Sequence, residues 1–452
     1  MKTFKFKAAV TLLLVMSSLS LRAIGPHELL VIANENSIDS ILVARAYMRM
    51  RSIPEVNLIR ITLPEAAYAS GNLITPADFT EQIWEPVQAA ISERGLQSQI
   101  LAWAFSCDFP TRVDSDPQMS LTGLTFMRNR IPDKDTLTRG SYLSPLFAGP
   151  EGSDEPRQET RTFDQHRNTL LESMPLPAVM LGYTRERGNT LAELLAALEK
   201  GAASDSRQPL GTVFFSINDN IRSKSRHWQY EGAVAAIRQA GQQAAITNAF
   251  PSGQNMIGFM TGNRTAPADL ATYEPGAYAD HLTSFAAAFE NASQTKISEW
   301  LRHGVSGTSG TVTEPFAVWH KFPNAYIFAH QLDGASMIEA LYHATRCPLQ
   351  LLPMGDPLAK PWAPKTRVTI DAPNKPVAGM VELTATCDDP ANFTQFDWLL
   401  NGRKVARGRK FLWNSRSEPN GPHRIRAIAV AKAPMRHQSF QDVVIDVLNP
   451  EE

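Results

Sequence analysis

Residues 278–284 hold the densest group of side chains that could do chemistry. Asp280, His281 and Ser284 bring a carboxylate, an imidazole and a hydroxyl within five residues, which are the groups that a serine nucleophile and its base require. Adjacent residues of a strand point to opposite faces, so Asp280 and His281 cannot both serve Ser284 from one strand. The segment is therefore either a polar strand end with a hydrogen-bonded histidine or a nucleophilic site whose base comes from elsewhere.

A run of small residues at 303–311 is a second candidate for chemistry. Gly304, Gly307 and Gly310 would let backbone N–H groups approach an anion closely. The run lacks the lysine of a phosphate-binding G-x-x-x-x-G-K-[ST] loop and the spacings of G-x-G-x-x-G and G-x-S-x-G. Close packing of backbone beside a central strand explains the glycines as well, so both interpretations remain open.

Carboxylates follow two apolar segments of the chain. Glu314 comes just after the small-residue run, and Asp356 lies in a Gly-Asp-Pro sequence. Open α/β sheets bind ligands at the carboxyl ends of their strands, although an aspartate in such a turn is more often a cap or turn former. We predict a pocket at this edge, with Glu314 or Asp280 supplying charge, formed by Gly262, Asn263, Ser284, Gly304, Gly307, Gly310 and Glu314, with Asp356 as a further candidate.

The sequence indicates neither a metal nor an organic cofactor. Three histidines that could be ligands are isolated, without H-x-x-H or H-E-x-x-H spacing: His320, His330 and His343. The three cysteines are too few and too scattered for a zinc site or a disulfide framework, and they could form one disulfide at most: Cys107, Cys347 and Cys387.

Strands alternating with helices must position these side chains. Short apolar runs predict strands at 28–33, 56–63, 99–105, 178–183, 211–217, 245–248, 256–260 and 349–354. Apolar residues at helical spacing predict helices at 37–51, 75–94, 190–200, 228–240 and 335–345. This order is typical of an α/β fold with a mostly parallel sheet covered by helices on both faces. A loop-rich insertion at about 108–170 interrupts it, and so long an insertion is usually functional or a lid.

The pattern changes after a proline-rich segment at 353–364. Short alternating runs between 366 and 449, with no helical spacing, predict a small all-β sandwich of immunoglobulin type with Trp398 in its core. Asn401-Gly402 predicts a hairpin. The predicted organisation is a signal peptide (1–23), an α/β domain (24–360) and the sandwich (366–449).

The first residues have the pattern of a signal peptide. Lys2, Lys5 and Lys7 precede an apolar run at 8–21, which is too short to span a bilayer. Ala23 supplies a small residue for cleavage. We therefore predict export to the periplasm or beyond the cell, with cleavage near Ala23 and no later transmembrane segment.

The charge balance bears on the partners. Lysine and arginine total 44 against 45 acidic residues, a formal net charge of -1, so nothing attracts the whole chain to nucleic acid. Five basic residues on the predicted hairpin, between Arg403 and Lys410, could contact an anionic surface polymer, although such runs are commonly solvated strand edges. The expected partner is a protein or a surface polymer.

A family resemblance rests on five short segments of the sequence: 119–123, 144–149, 279–284, 310–315 and 355–358. They resemble a family of exported bacterial proteins that accompanies exosortase protein-sorting systems. The resemblance spans about residues 28–362. It implies an exported protein of the bacterial envelope, without an established activity.

The sheet domain followed by a sandwich, and the Gly355-Asp356-Pro357 turn, are more distantly similar to caspase-like cysteine peptidases of the gingipain type. In that family one strand ends in His-Gly and the next ends in the nucleophilic cysteine. The resemblance places these positions at 261–263 and at about Ser284, where this chain has Thr-Gly-Asn and a serine. It therefore implies the peptidase scaffold without the Cys–His pair.

Two hypotheses of function follow. The first is an exported, non-catalytic protein whose peptidase-like scaffold and sandwich bind a partner. The alternative is a secreted hydrolase with Ser284 as nucleophile and a base from His281, His303 or Glu314. A structural envelope protein that depends on the sandwich is a third possibility.

Overall fold

The structure is a computed structural model that describes residues 23–68, 73–170, 173–432 and 434–450. The predicted signal peptide therefore lies outside the described residues, apart from Ala23. None of the described helices combines the length and the apolar character needed to cross a bilayer.

The strands before residue 356 include both long and very short ones. They are β1 (Leu29–Asn34), β2 (Leu58–Ile61), β3 (Leu73–Ile74), β4 (Ala102–Phe105), β5 (Arg112–Val113), β6 (Met119–Ser120), β7 (Ala178–Met180), β8 (Thr212–Ser216), β9 (Gln243–Thr247), β10 (Asn255–Gly262), β11 (Thr272–Leu282), β12 (Gly307–Thr311) and β13 (Leu351–Gly355).

Helices separate most of these strands. They are α1 (Ile38–Arg51), α2 (Glu65–Tyr68), α3 (Pro76–Phe79), α4 (Glu85–Glu93), α5 (Leu121–Phe126), α6 (Lys134–Arg139), α7 (Phe163–Leu170), α8 (Leu191–Ala203), α9 (Ile221–Lys224), α10 (Tyr230–Gln239), α11 (Ile297–Arg302), α12 (Ile327–Leu332) and α13 (Met337–Ala344). The Ser37 side chain caps α1 by accepting the Ser40 N–H. The helix predicted at 75–94 is divided into α3, a π-helical turn (Thr80–Trp84) and α4.

A ten-stranded mixed sheet confirms the predicted α/β fold. Its order is β2-β1-β4-β7-β13-β12-β11-β10-β8-β9. Most neighbours are parallel, and β13 runs antiparallel to β12, with Gly355 opposite Gly307 and Leu351 opposite Thr311. Because parallel strands buried on both faces need apolar side chains throughout, β1 and β4 are buried along their whole lengths.

The carboxyl ends of the parallel strands meet at one side, which we call the carboxyl edge. Tyr183, which follows β7, stacks on Phe289, which follows β11, with ring centroids 4.1 Å apart. Arg187 also donates to the Phe289 carbonyl at 3.0 Å. The opposite side is the amino edge, and the end of the antiparallel β13 lies there, because Gly355 pairs with the first residue of β12.

The insertion at 108–170 contains β5, β6 and the short helices α5, α6 and α7. Its backbone is hydrogen-bonded to the segment around α13. The Ser144 N–H donates to the Arg346 carbonyl at 2.8 Å, and the Ala148 N–H donates to the His343 carbonyl at 2.9 Å. This part of the insertion therefore packs against helices.

The C-terminal residues form two antiparallel sheets, as predicted. Their strands are β14 (Val368–Asp371), β15 (Met380–Cys387), β16 (Phe393–Leu400), β17 (Arg403–Arg407), β18 (Lys410–Asn414), β19 (Gly421–Ala431) and β20 (Gln438–Val447). The sheets are β14-β15-β18 and β17-β16-β19-β20. Trp398 is buried between them, and Asn401-Gly402 makes the predicted turn with φ of 50° and 86°.

The sandwich contacts the sheet domain through polar bonds. The Gln99 side chain donates to the Gly402 carbonyl at 2.9 Å, and Arg426 donates to the Ser52 carbonyl at 2.7 Å. The Ala23 N–H donates to Met435 at 2.9 Å. These bonds place β19 and β20 beside the C-terminal end of α1.

Candidate functional site

Asp280 is fully buried near the end of β11 and forms an ion pair with Arg226. Arg226 also donates to the Thr261 carbonyl at 2.6 Å and to Pro323 at 3.1 Å, and the Ser309 hydroxyl donates to Asp280 at 3.1 Å. Burial raises the pKa of the Asp280 carboxyl, and the Arg226 charge offsets part of that shift. This carboxylate therefore ties β10, β11 and β12 together and is not presented to a substrate.

The His281 ring lies on the opposite face of the sheet, as the alternation along a strand predicts. It packs at 6.0 Å from the Trp300 ring, and its Nε2 lies 2.8 Å from the Asn263 carbonyl. The carbonyl can only accept, so Nε2 carries the proton. The buried Nδ1 has no partner within the described residues, and burial lowers the pKa of His281 to about 4.

Ser284 lies at the carboxyl edge without a base. Its carbonyl accepts the Thr311 hydroxyl at 2.9 Å, and Gln294 holds the neighbouring Thr283 hydroxyl at 2.6 Å. Across the described ranges, no hydrogen bond joins the Ser284 hydroxyl to an imidazole or a carboxylate. The Asp280, His281 and Ser284 side chains therefore do not form a triad.

The predicted pocket is divided between the two edges of the sheet. Gly304 and Gly307 precede or begin β12 and so lie at the amino edge. Asp356 is there too, because its N–H donates to the Ser306 carbonyl at 2.9 Å. Its buried carboxylate is paired with Arg51. His303, a candidate base in the sequence, lies on the same side, away from Ser284.

Close packing accounts for two of the candidate glycines. A Cβ at Gly262 would come within 2.4 Å of the Arg222 carbonyl, and one at Gly310 within 2.6 Å of the Ala286 methyl. Both contacts are too short for any side chain. These two glycines are therefore required for backbone packing in the central strands β10 and β12.

Glu314 and Phe316 follow β12 at the carboxyl edge. Glu314 is exposed and accepts the Phe316 N–H at 2.8 Å. Phe316 has a φ of 58° and is 57% exposed, and such a left-handed conformation is rare for a bulky residue. Ile221, which follows β8, is 61% exposed. The ends of β10 and β11, with Asn263 and Ser284, lie between these two apolar side chains.

A serine–histidine pair that the sequence analysis missed lies after β8. The Ser223 hydroxyl is 2.6 Å from Nε2 of His227, and it accepts the Asn218 N–H at 3.2 Å. Ser223 is fully buried, so substrate cannot reach its hydroxyl and the pair closes a turn. The spacing of four residues in a helical segment was the signal that could have revealed it.

A polar cluster follows β1, β4 and β7, and it was also missed. The Asp108 carboxylate accepts bonds from Ser37 at 2.6 Å, Thr184 at 2.9 Å and Arg185 at 3.2 Å. The Asn34 amide donates to the Asp108 carbonyl at 3.2 Å. Asp108 has a φ of 57°, an unfavourable conformation that these four bonds hold in place.

The three cysteines are free thiols. Cys107 and Cys347 are buried, and Cys387 is partly exposed. Burial raises the pKa of the Cys347 thiol to about 11. In the part of the chain that the structure describes, no three histidine, cysteine or acidic residues are grouped so that they could hold a metal ion.

Comparison with known proteins shows what fold this is. No family model matches the chain, and no curated protein matches its sequence. The crystal structure of the Arg-specific cysteine proteinase gingipain R matches with a TM-score of 0.50 and 10% identity, over 95% of this chain and 100% of that one. The complex of Porphyromonas gingivalis RgpB pro- and mature domains gives 0.48 and 10%, over 93% and 100%. The distant resemblance to gingipain-type domains is thereby supported at the level of fold.

Proposed function

We propose that this chain is an exported, non-catalytic protein that binds a polypeptide partner at the carboxyl edge of its gingipain-like sheet. The observation that carries the proposal is the Ser284 hydroxyl, which stands at the end of β11 without a base. On the sequence resemblance, the proposal also includes an association with exosortase sorting systems.

The neighbouring titratable groups support the absence of catalysis. A serine hydroxyl is a weak nucleophile until a base accepts its proton. Asp280 is neutralised by Arg226, and the His281 ring is directed to Asn263 on the other face. Activation of Ser284 would require breaking one of these buried arrangements.

Two exposed apolar side chains support a polypeptide as the partner. Ile221 begins α9 after β8, and Phe316 lies in the segment after β12; these two strands are separated by β10 and β11. At the usual strand spacing these segments start about 14 Å apart, a span that accommodates an extended peptide of about four residues. Apolar side chains at both ends would contact apolar residues of that peptide.

Peptide binding tests this site directly. We expect the Ile221→Ser and Phe316→Ser double variant to bind peptides selected on the natural protein at least about tenfold more weakly, since each buried apolar contact contributes about 1–2 kcal/mol. The matched control is Leu210→Ser, because Leu210 is 81% exposed before β8, at the amino edge. Equal affinities in the double variant and the control would contradict the proposal.

The Ser284→Ala variant separates the proposal from the alternative of a secreted hydrolase. We expect no hydrolysis of peptide, ester or glycoside substrates above background by the natural protein, and none by the variant. Loss of a working serine nucleophile costs many orders of magnitude in rate, about 10⁶ in a known case. An activity that disappears in Ser284→Ala, with folding unchanged by circular dichroism, would establish the hydrolase instead.

Export with cleavage after Ala23 would create a new N-terminus at Ile24. The Ile24 N–H donates to Glu339 at 3.1 Å, and Glu339 is fully buried, which raises the pKa of its carboxyl. Cleavage after Ala23 would turn that N–H into an α-ammonium group facing the carboxylate. Mass spectrometry of the exported protein should find Ile24 first, and a chain that begins at Met1 would contradict processing.

The charge of that N-terminus should change the free energy of unfolding. We expect Glu339→Gln to destabilise the chain beginning at Ile24 by about 1.5–3 kcal/mol more than it destabilises the unprocessed chain, because a bond between charged groups replaces one to a neutral amide. Denaturant unfolding of the four proteins measures the difference. The same loss in both backgrounds would mean that the ammonium group does not pair with Glu339.

A further inference from the structure

A cavity lies at the amino edge, between the sheet domain and the sandwich. Its volume is about 270 Å³. Five parts of the chain form its walls: the segment at 24–26, the C-terminal end of α1, the end of α8 with the loop after it, the segment at 358–366 and the first residues of β20. It is distant from Ser284 and unrelated to the binding site proposed above.

Lys360 supplies an ammonium group with unused hydrogen-bonding capacity inside this cavity. The ammonium has three donors. Within the described residues it makes one long hydrogen bond, of 3.4 Å to the Gln438 carbonyl. Partial burial lowers the pKa of Lys360. A cation removed from water is costly unless an anion or several acceptors face it.

The nearby acids are already occupied. Asp205 accepts Arg51 at 2.7 Å with one oxygen and the Lys360 backbone N–H at 3.1 Å with the other. Asp356 is buried behind Arg51 and also accepts the Tyr47 hydroxyl at 2.8 Å. Neither carboxylate accepts a hydrogen bond from the Lys360 ammonium.

The cavity continues into an open groove of about 700 Å³ along the sandwich. Among the described residues that line the cavity and the groove, the charged ones are mostly basic, and Asp205 is the one acid. The basic residues are Arg51, Arg207, Lys360, Lys365 and Arg367. Asp388 approaches Arg367 from outside at 3.7 Å. Arg51 is shared between Asp205 and Asp356, so Arg51 and Lys360 together balance these two carboxylates. The net positive charge lies along the groove, on Arg207, Lys365 and Arg367.

The loop after α8 is held in shape where it lines both spaces. Ser206 has a φ of 61°, and its N–H donates to the Lys360 carbonyl at 3.3 Å. On the opposite wall, the Thr366 N–H donates to the Ser439 hydroxyl at 3.1 Å. Hydrogen bonds therefore hold the backbone on both walls, which favours binding without large rearrangement.

We propose that this cleft binds a ligand with two or more anionic groups, one on the Lys360 ammonium in the cavity and the next among Arg207, Lys365 and Arg367 in the groove. Phosphate and carboxylate groups share the required chemistry, since both accept bonds from ammonium and guanidinium groups. A short phosphate chain or the end of an acidic glycan carries anionic groups that could contact Lys360 and the groove residues at the same time.

Calorimetric titration of the whole protein with tripolyphosphate and, separately, with a trimer of galacturonate tests the proposal and distinguishes the two sources. At about 0.15 M ionic strength, we expect at least one probe to bind, and Lys360→Gln to weaken it at least about tenfold, as loss of a charged hydrogen bond would. The exposed Lys365→Gln should weaken it about threefold. Lys375→Gln, an exposed lysine outside both spaces, is the matched control and should not change the affinity.

Thermal melting without probe shows whether each variant is folded, and Lys365→Gln keeps the test valid if Lys360→Gln is not. Failure of both probes to bind below about 1 mM would overturn the proposal. Equal binding by the natural protein, Lys360→Gln, Lys365→Gln and the control would also overturn it, because the charge would then act from elsewhere on the surface.

Discussion

Replacing Asp280 by alanine is expected to lower the free energy of unfolding by about 3–5 kcal/mol. The variant leaves the fully buried Arg226 guanidinium without its counter-ion. Arg226 also holds the Thr261 carbonyl, so the ends of β10 and β11 should loosen together. Urea unfolding followed by circular dichroism measures the loss.

Two further variants show that burial, and not charge alone, causes this loss. Asp219 pairs with Lys224 at 3.0 Å but is fully exposed, so Asp219→Ala should leave the stability nearly unchanged. Replacing both members of the buried pair, as Asp280→Leu with Arg226→Met, should recover much of the loss because no lone charge remains. An Asp280→Ala variant as stable as Asp219→Ala would contradict the interpretation.

Acidification from pH 7 to pH 5 is expected to destabilise the protein by about 2 kcal/mol for each histidine that stays neutral in the folded state. His281 and His330 are the clearest cases, because each is fully buried with one ring nitrogen that has no partner in the described structure. Burial lowers the pKa of His281 to about 4, and burial next to His343 and Arg157 lowers the pKa of His330 well below its usual value.

The sign follows from proton uptake. The unfolded chain binds a proton at each histidine near pH 6.5. In the folded chain His281 does not bind one until the pH approaches 4, and the pKa of His330 is also well below its usual value. The unfolded state therefore gains stability relative to the folded state as the pH falls through this window. The effect of the two histidines together is about 4 kcal/mol.

Unfolding in urea at several pH values, with His281→Gln and His330→Gln as comparison variants, checks this prediction. Each variant should reduce the slope of stability against pH between 5 and 6 by about one proton, or about 1.4 kcal/mol per pH unit. Comparison of slopes cancels the contributions of buried carboxyl groups such as Glu339, which are common to all three proteins. Unchanged slopes would show that these histidines are protonated in the folded state.

Local patterns in the sequence were sufficient for the fold class. The apolar run at 28–33 and the helical spacing at 37–51 became β1 and α1 within one residue at most ends, because a strand buried on both faces leaves little choice of side chain. The Asn401-Gly402 hairpin was equally predictable, since both residues tolerate the positive φ that the turn requires. The opposite orientation of Asp280 and His281 followed from the strand period alone.

The composition of the candidate site could be predicted only in part. The sequence placed Ser284 at a strand end and found no Cys–His pair at the positions of the gingipain pattern. It also grouped Gly304, Gly307 and Asp356 with Ser284, and the structure places them at the amino edge. Gly304 and Gly307 lie there because they precede or begin β12. Asp356 lies there because β13 runs antiparallel to β12, and no local signal reveals the direction of a short buried strand.

The sequence by itself determined most of the long strands and helices, the change to a sandwich after the proline-rich segment and the absence of the expected nucleophile, because these depend on residues near one another in the chain. It did not predict β12, α11 or α12. Only the tertiary structure decided which charges meet. Arg226 and Asp280 are 54 residues apart, and Arg51 and Asp356 are 305 apart. Pairing over such distances depends on how strands are ordered in the sheet. The same dependence holds for the basic cleft, whose walls come from five separate parts of the chain and exist only where the sandwich packs against the sheet domain.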